Sequence, residues 1–320
     1  MTEVRIDTLA VCPSGRAGSA TRSENEAERG VLLVAVGLGA QSRAALCWAE
    51  FLSRSLGLGL RLVHAAQDPL PAVLGDTTSE DLGAHARSHW LRSIRESVHS
   101  WAACEAGVRV AFDEVLTDFG TPLDLILAAA EQPDVKMLVL GGPPSGTSPA
   151  LRDLPRQLLR RCPCPLLFVG SQGLRPLVMA ATDCSDPKLP VFIEAWRMAA
   201  ALGDRLVVVH NVDHAATQFT ERIGLHPSAA LADTVAYRSR QWLQKSAAVG
   251  DVLITRDADN AQGVLAAAQR LDADLLVVGV KPETKAPNRT AEQILAEVQH
   301  TVLFVPFAGS RAPEPGQRPA

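Results

Sequence analysis

Residues 135–170 read VKMLVLGGPPSGTSPALRDLPRQLLRRCPCPLLFVG, and the order of signals in this stretch decides the architecture. Met137–Leu140 is a continuous apolar run of strand length, and the Gly-Pro-rich loop behind it opens a short amphipathic helix. Pro163 and Pro165 then bracket the start of a second apolar run, Leu166–Val169. A glycine loop between a buried strand and a helix is where an α/β protein holds a phosphate, because backbone amides and the helix N-terminus converge there. The same layout returns at 274–306 as DLLVVGVKPETKAPNRTAEQILAEVQHTVLFVP, so the chain is built twice.

Working outward from this stretch, Val31–Val36 (VLLVAV) is a β-branched run suited to a parallel strand covered on both faces. Ser42 is placed to cap a helix whose Ala45, Ala49, Leu52 and Leu56 share a face, and a second strand follows over Leu60–Ala65. A β-helix-β order of this kind is the crossover of a parallel sheet. After a loop over 67–78, the spacing predicts a helix over Ser79–Ala103 and a third strand over Val108–Val115, alternating at Val108, Val110 and Phe112. Thr121-Pro122-Leu123-Asp124 is a helix start, with an N-cap, a proline at the first helical position and a carboxylate in the first turn. That helix runs to about Gln132.

The second half repeats the order as strand Leu177–Ala181, helix Pro187–Leu202, strand Arg205–His210, a helix within 227–249, strand Asp251–Thr255 and helix Asn260–Leu271. His64 corresponds to His210, and Leu166 to Val302, at a nearly constant offset. The pattern divides the chain into a mobile N-terminal tail over 1–30, a first domain over 31–170, a linker, a second domain over 175–307 and a disordered tail over 308–320. The expected fold class is α/β: two tandem, Rossmann-like, doubly wound five-stranded parallel sheets with helices on both faces.

Composition narrows the function classes. Of 320 residues, 47% are hydrophobic and 21% charged, which is enough to build two cores, while aromatic content of 4% makes those cores aliphatic. A net charge of −4 with no basic face argues against nucleic acid as a partner. No apolar stretch reaches membrane-span length, and the six scattered cysteines lack zinc-finger spacing, so the chain reads as cytoplasmic with reduced thiols and no metal site. No Gly-x-Ser-x-Gly elbow, Walker lysine or His-Glu-x-x-His motif is present, and no catalytic residue is assigned.

The order and the residues together resemble the universal stress protein family in its tandem-domain form. The likeness covers about residues 31–307 and is carried by VAVG and AATD ending the first strands and by HAA and HNV ending the second. TPLDLILAAA, NAQGVLAAA, LVLGG, LVVGV, CPCPLLFV and TVLFVP complete it. The resemblance implies an Asp ending strand one and a glycine signature, closed by Gly-Ser or Gly-Thr, whose amides hold the phosphates of ATP. Both copies depart from this. In the first, Gly37 stands at the Asp position, Gly141 opens the signature, Pro144 takes the second glycine's place, and Arg152-Asp153 replace Gly-Ser. Proline has no amide to donate, and a carboxylate in the first turn occupies the place of a phosphate. The first domain is therefore expected not to bind nucleotide.

In the second copy the resemblance implies a set of cofactor-binding candidates: Asp183 at the end of strand one, Asn211 facing adenine, Gly279, Arg289 and Thr290. Pro282 and Asn288-Arg289 interrupt the signature, Thr290 and Gln293 form a capping box, and Arg289 offers a guanidinium for a phosphate. ATP is thus left open for the second domain only, and no cofactor is firmly implied. Asp183 equally reads as an N-cap, with Asp186, for the helix starting at Pro187.

Several other residues carry two readings each. Cys162-Pro163-Cys164 reads either as a redox or metal pair or as an interior anchor; the proline and the strand behind favour anchoring, and Cys164 stands where the family resemblance places a cysteine. His85 and His89 lie one turn apart with no third ligand, so a solvated face is favoured over a metal site. His64 and His210 read as hydrogen-bonded structural residues, and Trp48, Trp90, Trp101, Trp196 and Trp242 as packing residues.

The functional expectation is a non-catalytic regulatory or stress-response protein acting on an unknown protein partner or small ligand. The alternatives are an ATP-binding or slowly ATP-hydrolysing switch working through the second domain and, last, an enzyme of the adenine-nucleotide α-hydrolase-like group. Pairing of the two domains through Leu166–Val169 and Val302–Val305 is what the resemblance implies, and a homodimer is left open.

Overall fold

The computed structural model describes residues 30–68, 80–142, 149–170, 177–182, 190–211, 233–234, 237–238, 241, 251–257, 259–281, 289–297 and 300–306. They form two compact units, one ending at Ser171 and the other beginning at Gln172. The two tails and the 171–174 linker read from the sequence lie outside the described residues, apart from Gly30.

In the first unit the elements run β1 (Val31–Ala35), α1 (Ala40–Leu56), β2 (Gly59–Ala66), α2 (Glu80–Glu105), β3 (Val115–Phe119), α3 (Pro122–Ala130), β4 (Val135–Gly141), α4 (Pro149–Arg161) and β5 (Leu166–Val169). The strand order is β3-β2-β1-β4-β5, all parallel. Leu32, Leu33, Val34, Leu138 and Val139 are completely buried, as central parallel strands covered on both faces require. In the second unit the elements run β6 (Leu177–Ala181), α5 (Pro190–Leu202), β7 (Arg205–Asn211), β8 (Asp251–Thr255), α6 (Asn260–Leu271), β9 (Leu275–Val280), α7 (Arg289–Glu297) and β10 (Thr301–Pro306). Its order, β8-β7-β6-β9-β10, repeats that of the first unit and is again wholly parallel.

Thr121 is the N-cap of α3: its Oγ1 accepts from the Asp124 amide at 3.2 Å and donates to Asp124 Oδ2 at 2.6 Å. Asp259 does the same for α6, accepting from the Gln262 amide at 3.0 Å. At the amino ends of the strands, Arg61 bonds Glu114 at 2.6 Å and Asp134 at 3.0 Å, tying β2 to the residues that lead into β3 and β4.

Three expectations are corrected. The third strand is Val115–Phe119, not Val108–Val115. Val108 and Val110 are buried, but their backbone bonds go to α2: the Val108 amide donates to Ala102 O, and His99 Nε2 donates to Val110 O at 3.1 Å. Their alternation therefore records packing against a helix, and a one-turn 3-10 helix, Phe112–Glu114, intervenes before pairing with β2 begins. Second, α1 starts at Ala40 with Gly39 at its N-cap, and Ser42 Oγ instead accepts from the Gly37 amide at 2.7 Å. Third, Trp48 packs in the core, whereas Trp90 and Trp196 are about half exposed, at 48% and 50%.

Candidate functional site

In each unit the central strand, β1 or β6, has neighbours reached by chain crossovers of opposite sense, so a crevice opens at the carboxyl ends of the strands. The groups around that crevice are the candidate site.

The first unit's edge is crowded by its own backbone. β1 ends in a turn in which Leu38 adopts φ 56 and Gly39 leads into α1. The start of α1 lies against the end of β4: a methyl group on Gly141 would stand 2.3 Å from the Gln41 carbonyl oxygen and 2.5 Å from its carbon. No substituent fits there, and the Gly37 amide is already spent on Ser42. The sequence reading of Asp153 as an anion in the first turn is corrected. Because α4 begins at Pro149, Asp153 lies one turn inside it, where its carboxylate accepts from Gln157 Nε2 at 2.9 Å and faces Arg156 at 4.0 Å. Proline pre-sets the backbone for a helix start, which moves the N-terminus upstream of the carboxylate. Pro144 lies outside the described residues.

In the second unit the strand ends carry polar side chains bonded to neighbouring backbone. Asn211, buried at the end of β7, donates through Nδ2 to Asp257 O at 2.8 Å and accepts on Oδ1 from the Asp257 amide at 3.1 Å. This two-way bond ties the end of β7 to the turn after β8, and Asp257 Oδ1 in turn accepts from the Asp259 amide at 2.9 Å. Gly263 of α6 lets the helix approach: a Cβ there would meet Asp257 Cβ at 3.0 Å and Asn211 Nδ2 at 3.2 Å. An amide side chain committed to the backbone in both directions is a brace, and it has one remaining lone pair and one N–H at most for a ligand.

The other predicted residues are distributed as follows. Gly279 is in β9, paired with Val305. Arg289, exposed, and Thr290 occupy the first turn of α7, so the capping box of Thr290 with Gln293 is corrected: a residue inside the helix cannot be its N-cap. Arg289 puts a guanidinium beside the positive end of the helix dipole, with Glu292 in the same turn. Asp183 lies outside the described residues.

His64 and His210 occupy matching places. Each Nδ1 donates to the carbonyl just beyond the end of the first strand, Val36 O or Thr182 O, at 2.8 Å in both units. In the neutral ring this leaves Nε2 as the acceptor. His85 and His89 are exposed on α2, and no group of three or more His, Cys, Asp or Glu side chains suited to a metal ion occurs among the described residues.

Sequence reasoning missed the Gln41–Gly141 approach and the Asn211–Asp257–Gly263 cluster. Gly263 was the available signal, since glycine inside a helix marks a close approach.

With this geometry in place, comparison with known proteins becomes specific. The model of the universal stress protein family matches twice, over residues 29–170 and 177–306. The chain belongs to the universal stress protein family. It is a tandem member, each unit carrying one family domain. No curated protein matches its sequence. Among solved structures it is similar to a universal stress protein from Archaeoglobus fulgidus, with 15% identity and a TM-score of 0.59 over 86% of this chain and 98% of that one. A functionally unknown Pseudomonas aeruginosa protein matches with 17% identity and a TM-score of 0.56 over 88% and 95% of the two chains. At these identities the likeness is one of fold. No helix among the described residues is long and apolar enough to cross a membrane.

Proposed function

We propose that this tandem universal stress protein is a non-catalytic regulator that acts by binding a protein or small-ligand partner, and that its first unit holds no nucleotide. The observation that carries the reading is the contact of Gln41 with Gly141. A phosphate is far larger than the methyl group that this face of Gly141 cannot accept, and the nearest backbone group is a carbonyl, which repels anions. Both edge histidines spend Nδ1 on backbone carbonyls, so neither is paired with a nucleophile through that atom.

A second reading, nucleotide response through the second unit, is favoured by Arg289. An exposed guanidinium at a helix N-terminus is unfavourable unless an anion joins it, and a phosphate supplies two bonds to that fork. Stoichiometry separates the readings. Equilibrium dialysis of the purified chain against labelled ATP, after denaturing a portion to release any co-purified nucleotide, is expected to find none bound. One nucleotide per chain, lost in Arg289→Ala, establishes the second reading, and two per chain overturn the proposal for the first unit.

A further inference from the structure

Between the end of α4 at Arg161 and the start of β5 at Leu166 the chain carries Cys162-Pro163-Cys164-Pro165. Both cysteines are buried, at 5% and 8% exposure, and their Sγ atoms are 3.6 Å apart. The segment is held at both ends: the Cys162 amide donates to Leu158 O at 2.8 Å, and the Leu138 amide donates to Pro165 O at 2.9 Å. An interior anchor needs one thiol. Two in contact across a single proline are a dithiol held at close to bonding range, since a disulfide requires about 2.05 Å and side-chain rotation supplies the difference of roughly 1.5 Å.

The pair is chemically unequal. The two sulfurs share one hydrogen bond in which either thiol can donate; with Cys164 as the donor, the bond holds the Cys162 thiol below its ordinary range, while the same bond and burial push Cys164 up. In that arrangement Cys162 is the nucleophile and Cys164 the proton-bearing partner. A two-thiol metal site is disfavoured because no further ligand joins the pair among the described residues. When Leu166 is aligned with Val302, the second unit has Val298 and His300 at these places, so the dithiol is a feature of the first unit alone.

We infer that Cys162 and Cys164 form a reversible intramolecular disulfide when the chain meets a hydroperoxide. The oxidant must be close to water in size, because little of either sulfur's residue is exposed. The Cys162 thiolate attacks the distal peroxide oxygen, breaking the O–O bond and giving a sulfenic acid, with the leaving oxygen protonated to water or an alcohol. The Cys164 sulfur then attacks the sulfenic sulfur, its proton leaving with the hydroxyl as water. Two thiols lose two electrons, the peroxide gains them, and two equivalents of a small thiol reverse the change.

The test uses the full chain with Cys12, Cys47, Cys104 and Cys184 changed to Ser, treated with hydrogen peroxide while folded and then denatured for thiol titration. The expected result is a fall from two thiols to near none, restored to two by reductant, with no cross-linked chains on a non-reducing gel. Cys164→Ser is expected to stall at a Cys162 sulfenic acid trapped by dimedone. Cys162→Ser is expected to react at least about tenfold more slowly. The unaltered chain is mapped by mass spectrometry in parallel, so that a misfolded serine background is recognised, and the peptide holding both cysteines must show the loss of two hydrogens. An unchanged thiol count, a loss that reductant does not restore, or a cross-link between chains would overturn the inference.

Discussion

His64 in the first unit and His210 in the second each reach the end of the neighbouring strand through the same 2.8 Å bond, but at the next residue the two units part. After His64 stands Ala65, which makes no side-chain bond; after His210 stands Asn211, locked to Asp257 in both directions. The crevices diverge in the same way. In the first unit, backbone from α1 presses on Gly141 and leaves no room for a Cβ there; in the second, the Asn211 side chain of β7 is bonded to the backbone of the turn after β8. The duplicated framework has thus kept the bonds that hold strand to strand, while the residues lining the crevice have changed independently. Family membership, which rests on the framework, accordingly says little about what either crevice holds.

This contrast can be tested by substitution. The largest effect is expected for Gly141→Ala. The group it meets is backbone, which cannot rotate away, so urea denaturation should show a loss of about 2 to 3 kcal/mol. A loss under about 0.5 kcal/mol would mean that the first crevice is less crowded than described.

Next comes Asn211→Ala, which removes two hydrogen bonds and strands the Asp257 amide and carbonyl; about 2 kcal/mol should be lost by the same measurement. Ala65→Gly, at the matching place, tests the contrast by costing about 1 kcal/mol or less. Gly263→Ala has opposing terms. Helix propensity favours alanine by about 1 kcal/mol, but the new methyl group meets an Asn211 that its two bonds hold still. A net loss of about 1 kcal/mol is expected, and a net gain would show that the brace gives way.

The smallest effect concerns charge. Burial pushes the Asp204 carboxyl up to about 6, and in the first unit Leu58 takes the corresponding place. A carboxyl with a raised folded pKa favours the protonated native state. Its unfavourable contribution is therefore absent below the unfolded value, near 4, and grows as pH rises towards 6. Asp204→Asn should raise stability at pH 7 by under about 1 kcal/mol, because the group is partly exposed, and should make no difference at about pH 3. Thermal melts at the two pH values measure the change.

Much of the framework could be read from residue order alone. Strands Leu166–Val169, Leu177–Ala181 and Asp251–Thr255 and helix Asn260–Leu271 have the bounds their apolar runs and turn residues imply, and Thr121 caps where its Pro122 and Asp124 predict. Apolar periodicity, proline geometry and caps act between residues a few positions apart, so they are written in the local sequence. Tertiary structure decided the rest. It set that β3 begins at Val115 rather than at Val108, how far up α4 Asp153 stands, that Gln41 covers Gly141, that Asn211 is consumed by Asp257, and that two cysteine sulfurs touch. Each of these depends on an approach between backbone segments or on a register that local pattern does not encode, because it is selected by the packing of the whole unit.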